Sequence, residues 1–145
     1  MLRTLLLLSL AACDMAAVEP TDLPFEVVAN GSYATAPEPT VVIARTPAEF
    51  GAVVGERLAG VEVARPDLGS SMAVFVFHSA SPASATLVRV DGVTTHGSEI
   101  RVRATGVTPC ITGPAVGSPW VLISVPVTEG NGVLETLAAE TGECE

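Results

Sequence analysis

The chain contains no lysine: all 7 of its basic residues are arginine, set against 16 acidic ones, for a formal net charge of −9. Without lysine there is no Walker-type phosphate loop, no Ser-Lys dyad and no Schiff base, since each needs an ε-amino group. The acidic balance argues against nucleic acid, whose phosphates are met by clustered Lys and Arg. It also leaves no polybasic patch for anionic lipid headgroups. Histidine is equally scarce, with only His78 and His96. They stand apart, outside any His-Glu-x-x-His, and no Cys-x-x-Cys occurs, so both read as loop or strand-end residues and no metal site is expected. Gly69-Ser70-Ser71-Met72-Ala73 comes near the nucleophile elbow Gly-x-Ser-x-Gly. It ends in alanine, however, and strand-like sequence follows where an elbow needs a helix. Neither a catalytic residue nor a cofactor is expected, and the protein reads as no enzyme. The N-terminal apolar run, Leu5 to Ala12 broken by Ser9, falls far short of the ~20 residues that span a bilayer as a helix.

What the chain does have is apolar material. At 48% hydrophobic residues and a mean hydropathy of +0.50, it can build a sizeable core, and the length suits one domain. The N-terminus carries Arg3, then Leu5-Leu6-Leu7-Leu8, then Leu10-Ala11-Ala12-Cys13. That order is a targeting segment, and the tetrapeptide resembles the lipobox of bacterial lipoproteins. The resemblance implies that residues 1–12 are removed and that Cys13 is acylated and becomes the first residue. The chain is then anchored by acyl groups such as palmitate, and two or more of these hold stably. A buried N-terminal helix capped by Thr4 and a conventionally cleaved signal are the competing readings. Residues 13–24, with Asp14, Glu19, Pro20, Asp22 and Pro24, read as a tether, and residues 25–145 as the globular domain. The expected location is the bacterial cell envelope, with the body facing periplasm or exterior.

Assigning Cys13 to lipid leaves Cys110 and Cys144 as an even pair in an oxidising compartment. A disulfide between them would close a loop of about 35 residues, worth up to about 4 kcal/mol in the chain-entropy model. Two free thiols, or a thiol nucleophile, are the alternatives.

Along the domain, Phe25 to Val28 reads as a strand ended by Asn30-Gly31, and Thr40 to Ala44 as another. Thr46-Pro47-Ala48-Glu49 then forms a capping box with proline at the first helical position. Phe50, Val53, Val54 and Leu58 follow on one helical face. Met72 to Phe77 is apolar without alternation, the mark of a strand covered on both faces. Thr86 to Val93, ending near Asp91-Gly92, and the alternating Glu99 to Ala104 form an antiparallel hairpin. Trp120 to Val127 is the last strong strand, and Val133 to Ala139 is a further strand or a helical turn. The expected fold class is α+β, with one helix packed on a mainly antiparallel sheet of about five to six strands.

The order Thr46-Pro47-Ala48-Glu49-Phe50, then Pro66-Asp67-Leu68 before Met72-Ala73-Val74-Phe75-Val76, then Pro119-Trp120 through Val125-Pro126 resembles the C-terminal domain of PrcB-type proteins. Those are lipoproteins associated with a surface protease complex. The likeness covers about residues 40–127. Where that family has a Gly-rich turn and a tyrosine, this chain has His78-Ser79-Ala80-Ser81-Pro82-Ala83-Ser84-Ala85. The resemblance implies an accessory role as partner or stabiliser of a protease, without catalysis. A structural envelope lipoprotein and a protease inhibitor, using an exposed loop at Ala80 to Ala85, are the other classes. Arg101 and Arg103 project from one strand face, near Arg89 across the hairpin, and are the candidate contacts for an acidic protein partner; a solvated sheet face is the plainer reading. Trp120, the only tryptophan, is read as core.

Overall fold

The computed structural model describes residues 17–79, 87–108 and 118–142. Cys13, Cys110, Cys144 and the Ala80 to Ala85 segment lie outside the described residues. The elements run β1 (Thr21–Asp22), β2 (Glu26–Gly31), β3 (Thr40–Ala44), α1 (Pro47–Arg57), β4 (Ser71–Phe77), β5 (Leu87–His96), β6 (Glu99–Thr108), β7 (Trp120–Pro126) and β8 (Asn131–Thr141).

Helix α1 starts as its sequence dictates. Thr46 Oγ1 accepts from the Glu49 N–H at 3.2 Å, and Glu49 Oε2 accepts from the Thr46 N–H at 3.1 Å, so two otherwise orphaned donors are satisfied reciprocally. The same carboxylate accepts from the Arg45 N–H at 2.7 Å. Those backbone donors, Arg45 first and Thr46 second, hold the Glu49 carboxyl below its ordinary range. Phe50, Val53 and Leu58 are buried.

The expected single sheet of five to six strands is corrected to two four-stranded sheets, ordered β1-β5-β6-β8 and β2-β7-β4-β3. With one helix against eight strands among the described residues, the fold is α+β and predominantly β. The reason lies in β4 and β7, which are apolar on both faces. Ala73, Phe75, Phe77, Trp120 and Leu122 pack with Phe50, Val53 and Leu58 under the helix. Met72, Val74, Val76, Val121, Ile123 and Val125 point the other way, onto Val88, Val90, Val93, Ile100, Val102 and Ala104 of the second sheet. One short helix covers one face only, so the other must be closed by a second layer. The β5–β6 hairpin supplies it, because its strands alternate apolar-in and polar-out.

Two local expectations are also refined. Strand β5 does not end at Asp91-Gly92. The register shifts there in a bulge between Val90 and Gly92, pairing continues to His96↔Glu99, and the turn is made by Gly97, whose φ of 60° suits glycine. Val133 to Ala139 lies within strand β8, which pairs with β6 in parallel. Parallel neighbours need a crossover, and here the chain crosses through β7 in the opposite sheet.

The body begins before Phe25. Thr21 and Asp22 pair with Thr95 and Thr94, the Leu23 N–H donates to the Val93 carbonyl at 2.9 Å, and Leu23 packs against the intersheet core. One end of the molecule therefore gathers this N-terminal lead, the β5–β6 turn, the starts of β2 and β4, and the β7–β8 connection. Arg45 fastens that connection: its Nη2 donates to the carbonyls of Thr128 at 2.9 Å and Gly130 at 2.6 Å. The Asn131 N–H then donates to the Ser98 carbonyl at 2.9 Å.

Candidate functional site

The outer face of the β1-β5-β6-β8 sheet brings together the three arginines singled out by the sequence. Arg101 and Arg103 are two residues apart on β6 and so share a face. Arg89 stands opposite Thr105 on the same face. Their surroundings are acidic. Arg89 Nε lies 2.9 Å from Asp91 Oδ1 and its Nη2 lies 2.8 Å from Glu140 Oε2. Arg101 Nε lies 2.8 Å from Glu99 Oε2, and its Nη1 lies 3.8 Å from Glu135 Oε1. Arg103 makes no ion pair among the described residues. Its guanidinium covers Gly92 at the bulge, where any Cβ would collide with it.

The ionisation of the face follows from these contacts. The Arg89 guanidinium is raised above its ordinary value, first by the hydrogen bond with Glu140 and then by that with Asp91. For Asp91, partial burial is the largest influence and favours the neutral acid. The Thr105 hydroxyl and Arg89 outweigh it as donors, the charges of Arg89 and Arg103 add to them, and the carboxyl is held below its ordinary value. These pairs are substantially exposed, with Arg89 half exposed, so solvent screens them and they contribute little to stability.

Strand β1 raises a rim beside the face, and the cleft between them holds about 260 Å³, lined by Pro20, Asp22, Thr94, Arg101, Arg103 and Glu135. The five carboxylates of rim and face outnumber the three guanidiniums. The expected basic patch is thus a mixed ladder of both signs with a small acidic excess. The pairs were legible as Arg89-x-Asp91 and Glu99-x-Arg101, because residues two apart on a strand share a face. Glu135 and Glu140 carried no such signal, since they arrive through the parallel pairing of β8.

The remaining candidates do not converge. Ser70 Oγ donates to Asp67 Oδ2 at 3.0 Å and Ser71 Oγ to the Asp67 carbonyl at 2.6 Å, and strand β4 follows, so the elbow-like pentapeptide is the turn into a strand. Ser70 and Ser71 border a second cleft of about 330 Å³, together with Pro24, Phe25, Ser124 and Pro126. His96 closes β5 at the end of the body that carries the lead. His78 lies at the opposite end, with its Nδ1 2.8 Å from the Ser79 carbonyl and its N–H donating to Pro119. Trp120 is buried beneath the helix layer. Among the described residues no helix is long and apolar enough to cross a membrane. No protein-family model, curated protein or solved structure matches this chain.

Proposed function

We propose that this protein is a lipid-anchored accessory or binding protein of the bacterial cell envelope, held by acyl chains on Cys13 and partnering or stabilising a protease complex. The observation that carries the anchoring is Leu10-Ala11-Ala12-Cys13 directly behind a leucine run and ahead of a Pro- and Asp-containing lead. The protease association rests on the PrcB-type resemblance. The residues that bear it open α1, lead into β4 and span β7, the elements around which the helix-covered core is built.

Palmitate labelling of cells tests the anchor: label should be incorporated by the natural chain and lost in Cys13→Ala, and label persisting in that variant rejects it. Crosslinking from the anchored protein tests the partner. Recovery of one stoichiometric protease supports the reading, whereas recovery of abundant envelope proteins alone points to a structural lipoprotein. In the same reading Cys110 and Cys144 are paired. Thiol titration under denaturing conditions should find none free, and two free thiols would reject the pairing.

A further inference from the structure

The sheet edges of the molecule are unequal. Strand β1 spans only Thr21–Asp22, β2 is kinked by a register shift between Val27 and Ala29, and β3 is five residues long with Pro39 just before it. Such short, bent or proline-flanked edges resist pairing with other chains. Strand β8 has no such protection along most of its length. It runs for 11 residues without proline, lysine or arginine; Val41 and Ile43 of β3 cover it at Gly132, whereas Ala138 and Ala139 are exposed. It pairs with β6 on one side, and no described strand pairs with the other. Its single interruption is the register shift at Glu135.

The two faces beside this edge differ in chemistry. On the inner side Leu134 and Leu137 of β8 and Val41 and Ile43 of β3 pack against the intersheet core but are only partly buried, so the seam between β3 and β8 is incompletely closed. On the outer side stand Glu135 and Glu140, both exposed and already facing Arg101 and Arg89, so a basic segment would exchange these solvent-screened pairs for its own. A strand added to β8 would alternate between these environments, because successive side chains point to opposite faces. We propose that the β8 edge is a docking site for an extended segment of a partner protein in which apolar and basic residues alternate. The apolar set closes the seam over Leu134, Leu137, Val41 and Ile43, and the basic set meets Glu135 and Glu140. A second copy of this chain is disfavoured as the occupant, since it would bring its own Glu135 and Glu140 and a further net charge of −9 to the same edge. This inference rests on the reading of the body as a binding module and names the chemistry of what it binds.

The test uses the full-length protein in detergent micelles and a fluorescein-labelled ten-residue peptide of alternating Val and Arg. The controls are an alternating Val/Glu peptide, a block peptide of the same Val/Arg composition, and two versions N-methylated on either alternate set of amides. The Val/Arg peptide should bind and slow amide exchange within Asn131–Thr141. N-methylation of one alternate set should abolish binding and that of the other should not. The double substitution Glu135→Gln, Glu140→Gln should weaken binding about three- to tenfold, with an unchanged circular dichroism spectrum. Equal binding of the block or Val/Glu peptide, protection elsewhere in the chain, or a peptide-free dimer that itself protects β8 would overturn the proposal. Peptide docking without a crosslinked protease removes the protease reading and leaves this one standing. A crosslinked protease without peptide docking does the reverse.

Discussion

The three-layer arrangement can be tested by asking which core residues feel one another across β4. Phe75 is fully buried on the helix side, 5.4 Å from Phe50 and 6.0 Å from Phe77 between ring centroids. Met72 is equally buried but faces the other sheet. Truncation of Phe75 to alanine should cost about 3–5 kcal/mol and of Met72 about 2–5 kcal/mol, transfer and cavity terms together. For a domain of this size the Phe75→Ala loss corresponds to a fall in Tm of about 10–20 °C. Three residues along a strand, the two side chains are about 10 Å apart on opposite faces, and neither cavity can relax into the other. Their free energies should therefore add to within about 0.5 kcal/mol, whereas Phe75→Ala with Phe50→Ala, which share one cavity, should deviate by about 0.5–3 kcal/mol. Urea unfolding of the three single and two double variants, with m-values unchanged, measures both couplings. Additivity of Phe50 with Phe75, together with strong coupling of Met72 to Phe75, would refute the placement of the helix and the second sheet on opposite faces of β4.

Gly130 has a φ of 132°, and a Cβ there would lie 2.8 Å from the Ser98 carbonyl oxygen, so Gly130→Ala should destabilise by about 1–3 kcal/mol in denaturant unfolding. Thr46→Ala should cost about 1 kcal/mol in the same assay and Thr46→Gly only a few tenths, because glycine tolerates the cap position. A folded-state carboxyl held below its unfolded value contributes stability above the unfolded pKa and loses it as pH falls through the folded one. Asp91, whose ordinary value is 3.8, should therefore contribute at neutral pH, begin to lose that contribution as pH falls toward about 4, and lose it fully only below its lower folded-state value. Thermal melts from pH 7 to 2 should show the gap between the natural chain and Asp91→Asn closing as acid is added, and a gap that widens would reverse the sign.

Legibility in the sequence followed the range of the interaction. The capping box at Thr46 and Glu49, the two-faced run Met72 to Phe77 and the alternation of β6 are local patterns, and each appears in the structure as read. The number of sheets was not local. An alternating strand reads the same whether it extends a sheet sideways or stacks upon it, and only the demand of β4 and β7 for cover on both faces separates the cases. The Asp91-Gly92 pair was misleading because Asp-Gly favours both turns and bulges. At the candidate site, the arginine cluster was visible from spacing within one hairpin. Half of its carboxylate partners were not, since Glu135 and Glu140 approach by a parallel crossover more than 30 residues away in sequence.

The lead and the β8 edge are connected through sheet order. From Cys13 to the first paired residue, Thr21, the chain can reach about 28 Å when fully extended. Strand β8 stands three strand spacings from β1, about 14 Å across the sheet. On the proposed reading, acyl chains on Cys13 would confine the β8 edge, which no described strand pairs, to a thin layer above the membrane surface. A partner anchored in the same membrane would meet the edge within that layer rather than in bulk solution, which would raise its effective concentration and favour an edge interaction too weak to hold two free proteins. Weak edge affinity combined with anchoring suits an accessory subunit, because a partner in the same membrane is retained while freely diffusing chains with similar segments are not. The same logic explains why an exposed 11-residue edge strand is tolerable here: like charges on each copy oppose edge-to-edge self-pairing.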